Sequence, residues 1–388
     1  MDIKHILKDH AYQNIPLSFS EAYALGEYAI QGCFGDTLAQ VQSIAALSAL
    51  HTRATYAWRG TAADHEGHPD RLPVSAAEQI AGVCAAVFER DIARSQFGFS
   101  SPRVPFAIDN CGMGGDLTVT ANVSTIAALI AAVAGVCMFK HGSPANADAG
   151  RHGSSDFIHL LGINPIVPKE VMERCVEETK FGYIEALDTR YKHIHALTHE
   201  IAKLPHMNDI IGPVTSPVNP KVLTHRMMGV NHLIAPSVVA EAYRILNGRG
   251  ITNITHAFFI RGFADEGRYR GMDEVSICPG GTQVTELAEG HIEEYTLSAR
   301  DFGIPPVPPE SISPPSGMSK GTFSLKILQG EIDGAPLQMV FANAALLFRL
   351  AGRVASLREG YRLAEEIFRS GRVTEKVEAV RDALQVPA

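Results

Sequence analysis

The stretch from Asp109 to Asp156 limits the fold more than any other part of the chain, because it writes strand, tight loop, helix and strand in one run. The apolar VPFAI leads into DNCGMGGD, then TANVST, the Ala-rich IAALIAAVAG, the apolar GVCMF and finally KHG. Two strands joined through a helix pair in parallel, because an antiparallel return needs no crossover of that length. Gly112, Gly114 and Gly115 take side chains out of the loop, so the backbone N–H groups around Met113 and Asp116 can turn inward toward an anion. Asn122, Ser124 and Thr125 stand where the helix begins, which brings hydroxyls, an amide and the positive helix end to the same space. Lys140, His141 and Gly142 follow the second apolar run and add a cation. Together these groups suit a diphosphate.

From Val104 onward short apolar runs keep alternating with helical segments, which predicts an α/β unit with a mainly parallel central sheet and helices on both faces. The chain opens differently. Ala22, Leu25, Tyr28 and Ala29 share one helical spacing and Val41, Ile44, Leu47 and Leu50 the next, separated by a break at Gly32 to Gly35. A small all-helical domain is expected there. Residues 51–73 are polar and carry His, Gly and Pro, which predicts an inserted loop before the helix SAAEQIAGVCAAVFERD resumes the pattern. Residues 183–211 look helical again, and the Pro-rich run 304–317 predicts an extended surface connection.

With 388 residues and 46% hydrophobic content, the chain has material for two units and a sizeable core. Its formal charge of −8 disfavours sequence-independent nucleic-acid binding as the main role, while a small anionic ligand needs only a local patch. Cys33, Cys84, Cys111, Cys137, Cys175 and Cys278 are scattered singly with no C-x-x-C pair, which argues for reduced, buried thiols rather than a zinc module or a disulfide framework. MDIKHILKDH has no apolar signal core and the run Ala127 to Val136 is too short to span a bilayer, so a cytoplasmic protein without membrane contact is expected.

In order and spacing, the run from Asp109 to Asp156 resembles the anthranilate phosphoribosyltransferase family. That family writes GTGGD, a helix start N-I/V-S-T, then KHG, then a GS-A/S-D element before LG, and DNCGMGGD, NVST, KHG and GSSD with Ser154 are the counterparts here. Met113 stands where the family has Thr. Further blocks, SPVNP, THRMMGV, GMDEVS, GGTQVTEL, DFGI and FANAALLFRLAG, follow in the family's order, so the likeness covers most of the chain. It implies a helical domain formed by 1–102 and 181–213, an α/β domain formed by 103–180 and 214–388, and an active site in the cleft between them. A homodimer through the helical domain is implied as well.

The same resemblance implies Mg²⁺-dependent transfer of a phosphoribosyl group from phosphoribosyl diphosphate to an aromatic or heteroaromatic nitrogen. Donor binding would fall to Gly112, Met113, Gly114, Gly115, Asp116, Asn122, Ser124, Thr125, Lys140, His141, Gly142 and Ser154, and the metal to Ser124, Asp273 and Glu274. Asp265-Glu266, in an insertion over 261–270, is a second acidic pair. The acceptor side departs from the family. Its carboxylate-binding arginine lies in a segment like K-H-V-x-x-V-R-R-E-L, whereas KHIHALTHEIAKL puts Thr198 or His199 there, and Ser143 replaces the Asn after KHG. Arg190, Tyr191, His193 and His199 are the other residues of that region with chemistry to offer. No side chain stands out as a general acid or base, and an aromatic amine with a free lone pair needs little base catalysis. Two alternatives share the fold: a nucleoside phosphorylase, and a non-catalytic paralogue whose cleft holds nucleic acid or a regulatory ligand. A dinucleotide-binding dehydrogenase is disfavoured, since GMGGD lacks the G-x-G-x-x-G spacing.

Overall fold

The structure, a computed structural model, describes residues 3–8, 15–58, 76–145, 153–199, 208–231, 234–268 and 270–385. The chain divides into two compact units. Unit 1 takes Met1–Phe99, Ala186–Pro217 and Leu233–Asn253, and unit 2 takes Ser100–Glu185, Val218–His232 and Ile254–Ala388. Two expected boundaries are corrected. Residues 181–185 form a strand of unit 2 rather than a helical return, and Leu233–Asn253 rejoins unit 1 from within the segment assigned to the α/β part.

Among the described residues unit 1 contains helices only. Ser18 starts the helix Phe19–Gly32 through a capping box: Glu21 N–H donates to the serine hydroxyl, and the Glu21 carboxylate accepts from the Ser18 N–H. That helix packs on Ala76–Ala86. The helix Thr37–Trp58 runs into the stretch expected to be a loop, since THRATYAW holds helix formers and no Gly or Pro; residues 59–73 lie outside the described residues. Beyond Ala86 the helix widens into a π turn, Val87–Asp91. Such local irregularity re-aims a side chain; here the buried Asp91 carboxylate accepts the N–H groups of His193 and Ile194. Among the described residues no helix is long and apolar enough to cross a membrane.

Unit 2 is built on one eight-stranded sheet. Its strands are β1 (Ala107–Gly112), β2 (Met138–Gly142), β3 (Phe181–Glu185), β4 (Leu223–Gly229), β5 (His256–Phe263), β6 (Gly271–Met272), β7 (Thr282–Ala288) and β8 (His291–Leu297). They lie in the order β3-β2-β1-β4-β5-β7-β8, with β6 on β5. The pairs from β3 through β5 are parallel and those made by β6, β7 and β8 are antiparallel, so the mainly parallel sheet carries an antiparallel edge. The chain moves outward from β1 to β2 and β3 on one side, then returns to β4 and β5 on the other. The loop after β1 therefore sits at a topological switch point, the place where open α/β sheets bind ligands.

Helix Val123–Val133 is the crossover from β1 to β2 and is buried almost end to end, including Ile126, Leu129 and Ile130. Each such side chain contributes about 1.5–3 kcal/mol on leaving water. It packs against helix Ala335–Leu350, whose Asn343 is buried and holds both the N–H and the C=O of Val275 through its amide. A buried amide that satisfies two backbone groups fixes the loop behind Asp273-Glu274. The Pro-rich run is partly helical, with a 3₁₀ turn over Pro309–Ile312. It borders a groove of about 630 Å³ whose other lining includes Thr118, Arg270 and Lys320.

Candidate active site at the strand ends of unit 2

Three strands reach the switch point at glycine. Gly112 of β1 pairs with Gly229 of β4, and Gly262 lies near the end of β5. A Cβ at Gly229 would lie 1.6 Å from the Asp273 carbonyl oxygen, one at Gly262 2.2 Å from the Glu274 carbonyl oxygen, and one at Gly112 1.8 Å from Asp273 Oδ2. The three form a flat shelf on which Asp273 and Glu274 rest. The loop that follows β1 closes over the same pair. Gly114 and Gly115 have φ of 71° and 75°, a left-handed backbone that glycine adopts without strain.

The loop's polar groups are distributed differently from the expectation that they turn toward an external anion. Met113 N–H donates to Gly229 O at 3.0 Å, and Gly114 N–H donates to Asp273 Oδ2 at 2.7 Å. The loop does receive an anion, and it is the chain's own carboxylate. Asp116 in turn accepts from Asp273 N–H at 2.8 Å, and Thr120 donates to Glu274 Oε2 at 2.6 Å. Burial, together with the charges of Asp273 and Glu274, pushes the Asp116 carboxyl well above its ordinary range. Burial and the Asp273 charge push Glu274 up to about 7, against the pull of Lys320. The insertion pair is not part of this group: Asp265 bonds Arg270 at 3.2 Å in the β5–β6 turn, and Glu266 is exposed.

At the helix start the three expected groups are engaged differently. Ser124 Oγ accepts from Lys140 Nζ at 3.2 Å. Asn122 does not cap the helix; its backbone N–H and side-chain amide both donate to Ser324 Oγ, at 2.8 and 3.0 Å. Thr125 is fully buried, and among the described residues its Oγ1 has no hydrogen-bond partner. Lys140 is 1% exposed, and its ammonium also donates to the Asn110 carbonyl. Burial lowers its pKa, opposed by the charges around it.

His141, placed among the ligand-binding residues from sequence, points to the other face of the sheet. Its Nδ1 lies 2.6 Å from Asp109 Oδ2, and its backbone N–H donates to Asp109 Oδ1. Arg226, fully buried, reaches the same Asp109 oxygen at 3.1 Å and donates to Cys111 Sγ at 3.1 Å. Burial alone would raise the Asp109 carboxyl; the His141 and Arg226 charges overcome it and hold the group far below the carboxylate range. Burial pushes the Cys111 thiol up to about 11. Ligand atoms of Asp109, Cys111 and His141 lie within 4.8 Å of one another, as in a metal site. The guanidinium already fills that space with a cation bonded to two of the three, so these residues do not fit a metal. Sequence reasoning misses Arg226; the signal that could find it is an arginine inside the apolar run LTHRMMG.

The GSSD element forms a clasp. Asp156 accepts from Ala145 N–H at 2.9 Å and from Gly153 N–H at 2.8 Å, drawing together the two ends of a segment whose middle, 146–152, lies outside the described residues. Gly142 admits Ser154 closely, since a Cβ there would lie 2.1 Å from Ser154 Oγ. Ser143 is half-buried, and its carbonyl accepts from Ser155 N–H.

The remaining residues expected to meet an acceptor belong to unit 1. Arg190 is forked onto Asp188, at 2.9 and 2.7 Å, with its guanidinium 4.6 Å from the Phe97 ring centre. Tyr191 is 3% exposed and meets the same ring edge-on. His193 Nδ1 pairs with Asp91 Oδ1 at 2.8 Å, and its ring lies 4.8 Å from that of Phe34. That hydrogen bond raises the His193 pKa, partly offset by burial. His199 lies 6.0 Å from the His195 ring; the Thr198 side chain lies outside the described residues.

Mg²⁺ takes hard oxygen ligands and keeps several waters, binding through one or two carboxylates plus substrate phosphates. Asp116, Asp273, Glu274 and the Ser124 hydroxyl supply oxygens only. Burial, and after it the Asp273 charge, raises the Asp116 and Glu274 carboxyls, and a divalent cation would offset both effects. These residues fit the ion.

Residues 105–374 match the family described as "Glycosyl transferase family, a/b domain". The chain is 33% identical over 283 residues to the anthranilate phosphoribosyltransferase of Anaeromyxobacter dehalogenans, covering 72% of this chain and 78% of that protein. It is 30% identical over 388 residues to that of Pyrobaculum aerophilum, covering 99% of each. Among solved structures, anthranilate phosphoribosyltransferase from Thermus thermophilus superposes with a TM-score of 0.73 at 24% identity, covering 98% of this chain and 99% of that one. The Saccharomyces cerevisiae enzyme in complex with PRPP and Mg gives 0.74 at 22% identity, covering 98% and 97%. These last two are likenesses of fold. With the family model spanning most of its length, a relative 33% identical over 72% of it and another 30% identical over 99%, the chain belongs to the anthranilate phosphoribosyltransferase family of glycosyl transferases.

Proposed function

We propose that the protein is a Mg²⁺-dependent phosphoribosyltransferase that moves the 5-phosphoribosyl group from phosphoribosyl diphosphate to an aromatic or heteroaromatic nitrogen and releases diphosphate. The observation that carries this reading is the meeting of Asp273 with Gly114 and Asp116 of the loop Gly112–Asp116, and of the neighbouring Glu274 with Thr120, at the switch point. Breaking the bond from the anomeric carbon to diphosphate leaves charge on the leaving group and oxocarbenium character on the ribose, so catalysis is chiefly electrostatic.

Each residue then has a task set by its surroundings. Donor binding exchanges one anion for another at Gly114: the Asp273 carboxylate leaves the N–H and a diphosphate oxygen takes it. The buried Lys140 ammonium, steered by Asn110 O and Ser124 Oγ, meets the diphosphate with little competition from water. Asp273, Glu274 and Ser124 would hold magnesium, which would supply the remaining charge neutralisation. His141 acts from beneath by fixing the end of β2 through Asp109 rather than by contact with the donor.

The relatives' names make anthranilate the first acceptor to test. Arg190 spends its Nε–Nη2 edge on Asp188, which leaves an acceptor carboxylate only the Nη1–Nη2 edge, and heteroaromatic nitrogens belong in the same screen. A homodimer through unit 1 is supported by Leu38 and Val41, 64% and 60% exposed three residues apart on the helix Thr37–Trp58, and by Phe34, 67% exposed in the turn before it. A cytoplasmic location is supported by the six cysteines, all of which are thiols.

The test is calorimetric titration with phosphoribosyl diphosphate, with and without Mg²⁺. Metal-dependent binding by the wild type, followed by diphosphate release with an aromatic amine, is expected. Absence of binding would overturn the transferase reading, and phosphorolysis of a nucleoside without diphosphate chemistry would replace it.

A further inference from the structure

Tyr183 is a residue of β3 that the site as described so far does not use. It is 1% exposed, and its hydroxyl lies 2.8 Å from Ser154 Oγ and 2.8 Å from Ser155 Oγ. A phenol carries one hydrogen, so it donates to one serine and accepts from the other. Ser155 decides which. It is buried, and its hydroxyl hydrogen has two acceptors, Tyr183 Oη at 2.8 Å and Gly142 O at the weaker 3.3 Å. Taking the shorter bond, Ser155 donates to Tyr183 and Tyr183 donates to Ser154. Ser154 is half-buried, and among the described residues its hydroxyl bonds no other side chain. Its own hydrogen is left to point outward.

We propose that Tyr183 is a positioning residue for donor binding. The ordered chain Ser155 to Tyr183 to Ser154 turns Ser154 into a hydrogen-bond donor aimed at an anionic oxygen of phosphoribosyl diphosphate. The inference rests on the donor reading given above. A free serine hydroxyl rotates among donor and acceptor orientations; a chain that occupies its lone pair removes the orientations that repel an anion. Gly142 holds the parts together, since a Cβ at that position would lie 2.5 Å from the Tyr183 oxygen and 2.1 Å from Ser154 Oγ.

The experiment is a double-mutant cycle read by calorimetry with phosphoribosyl diphosphate and Mg²⁺. Tyr183→Phe keeps the ring and removes the hydroxyl; Ser154→Ala removes the hydroxyl it orients. Each is expected to weaken donor binding about tenfold, the scale of one hydrogen bond to a charged oxygen. The double variant is expected to lose no more than either single one, because both remove the same bond. KM for the donor should rise with kcat little changed, and the thermal midpoint of Tyr183→Phe should stay within a few degrees of wild type. Ser155→Ala, which removes the first link, gives a second reading should Tyr183→Phe fold poorly: a smaller loss of the same sign supports the chain. Unchanged affinity in Tyr183→Phe, or additive losses in the double variant, would overturn the proposal while leaving the donor reading intact. A wild type that binds no donor overturns both.

Discussion

The strand ends of unit 2 and the segment Asp188–His199 of unit 1 hold similar inventories of charged and polar side chains, and they use them in opposite ways. At the strand ends, groups far apart in sequence meet: Gly114 with Asp273, Thr120 with Glu274, Lys140 with Ser124. Like charges are buried together there, and burial first, with the neighbouring Asp273 charge second, displaces two carboxyls upward. In unit 1 the charges satisfy one another in closed pairs, Arg190 with Asp188 and His193 with Asp91. A site that leaves charge uncompensated has work to do on a ligand; a set of closed pairs holds its own fold.

Five experiments bear on that contrast. The largest effect is expected for Arg226→Met, which leaves Asp109 buried with one partner fewer. A loss of about 3–5 kcal/mol in denaturant unfolding is expected, and a loss below about 1 kcal/mol would show that the buried pair is not what ties β1 to β4. Next, Asp273→Asn with Glu274→Gln should weaken Mg²⁺-dependent donor binding about 100-fold or more while relieving repulsion, so the unfolding midpoint should hold or rise. A fall in stability would blur the distinction between site and scaffold. Gly229→Ala should cost about 1–3 kcal/mol by overpacking and should damage donor binding too, because the atom it meets is the Asp273 carbonyl.

The smallest effects belong to unit 1. Arg190→Ala should cost about 1 kcal/mol or less, as expected for a partly exposed pair, with donor affinity unmoved. His193 adds a pH signature. Its folded pKa is raised by Asp91, so its contribution is fully present below about 6.5, the unfolded value, and is lost as pH rises through the higher folded value. His193→Gln should flatten that slope in a stability-versus-pH series, and a donor affinity that follows the same slope would break the contrast.

The strand–loop–helix run was legible because its chemistry is local. Glycines, caps and apolar runs in fixed order dictate a parallel crossover whatever else the chain does, and Lys140 and Ser124 meet as that order implies. Three things were not legible. Asn122 and Thr125 are at the right spacing, yet a helix more than two hundred residues away claims Asn122 through Ser324, a long-range packing fact that no local window carries. His141 turns away from Lys140 because neighbours on a strand alternate faces, and Asp109, paired in register with Arg226, waits on that other face. Asp188 and the π turn at Asp91 likewise absorb Arg190 and His193, which sequence alone offered to an acceptor.

The glycine shelf has a consequence for how such a protein can change. Asp273 and Glu274 lie directly on backbone at Gly229 and Gly262, so a single added methyl shifts the acidic pair as a unit. There is no graded series of substitutions at these positions, no slightly larger side chain that trades a little affinity for a new substrate. In the segment Asp188–His199 the pairs Arg190–Asp188 and His193–Asp91 are made by side chains, and they can be exchanged one at a time. A lineage that drifts would exchange residues of that segment singly and leave the shelf untouched, which makes the shelf its fixed inheritance.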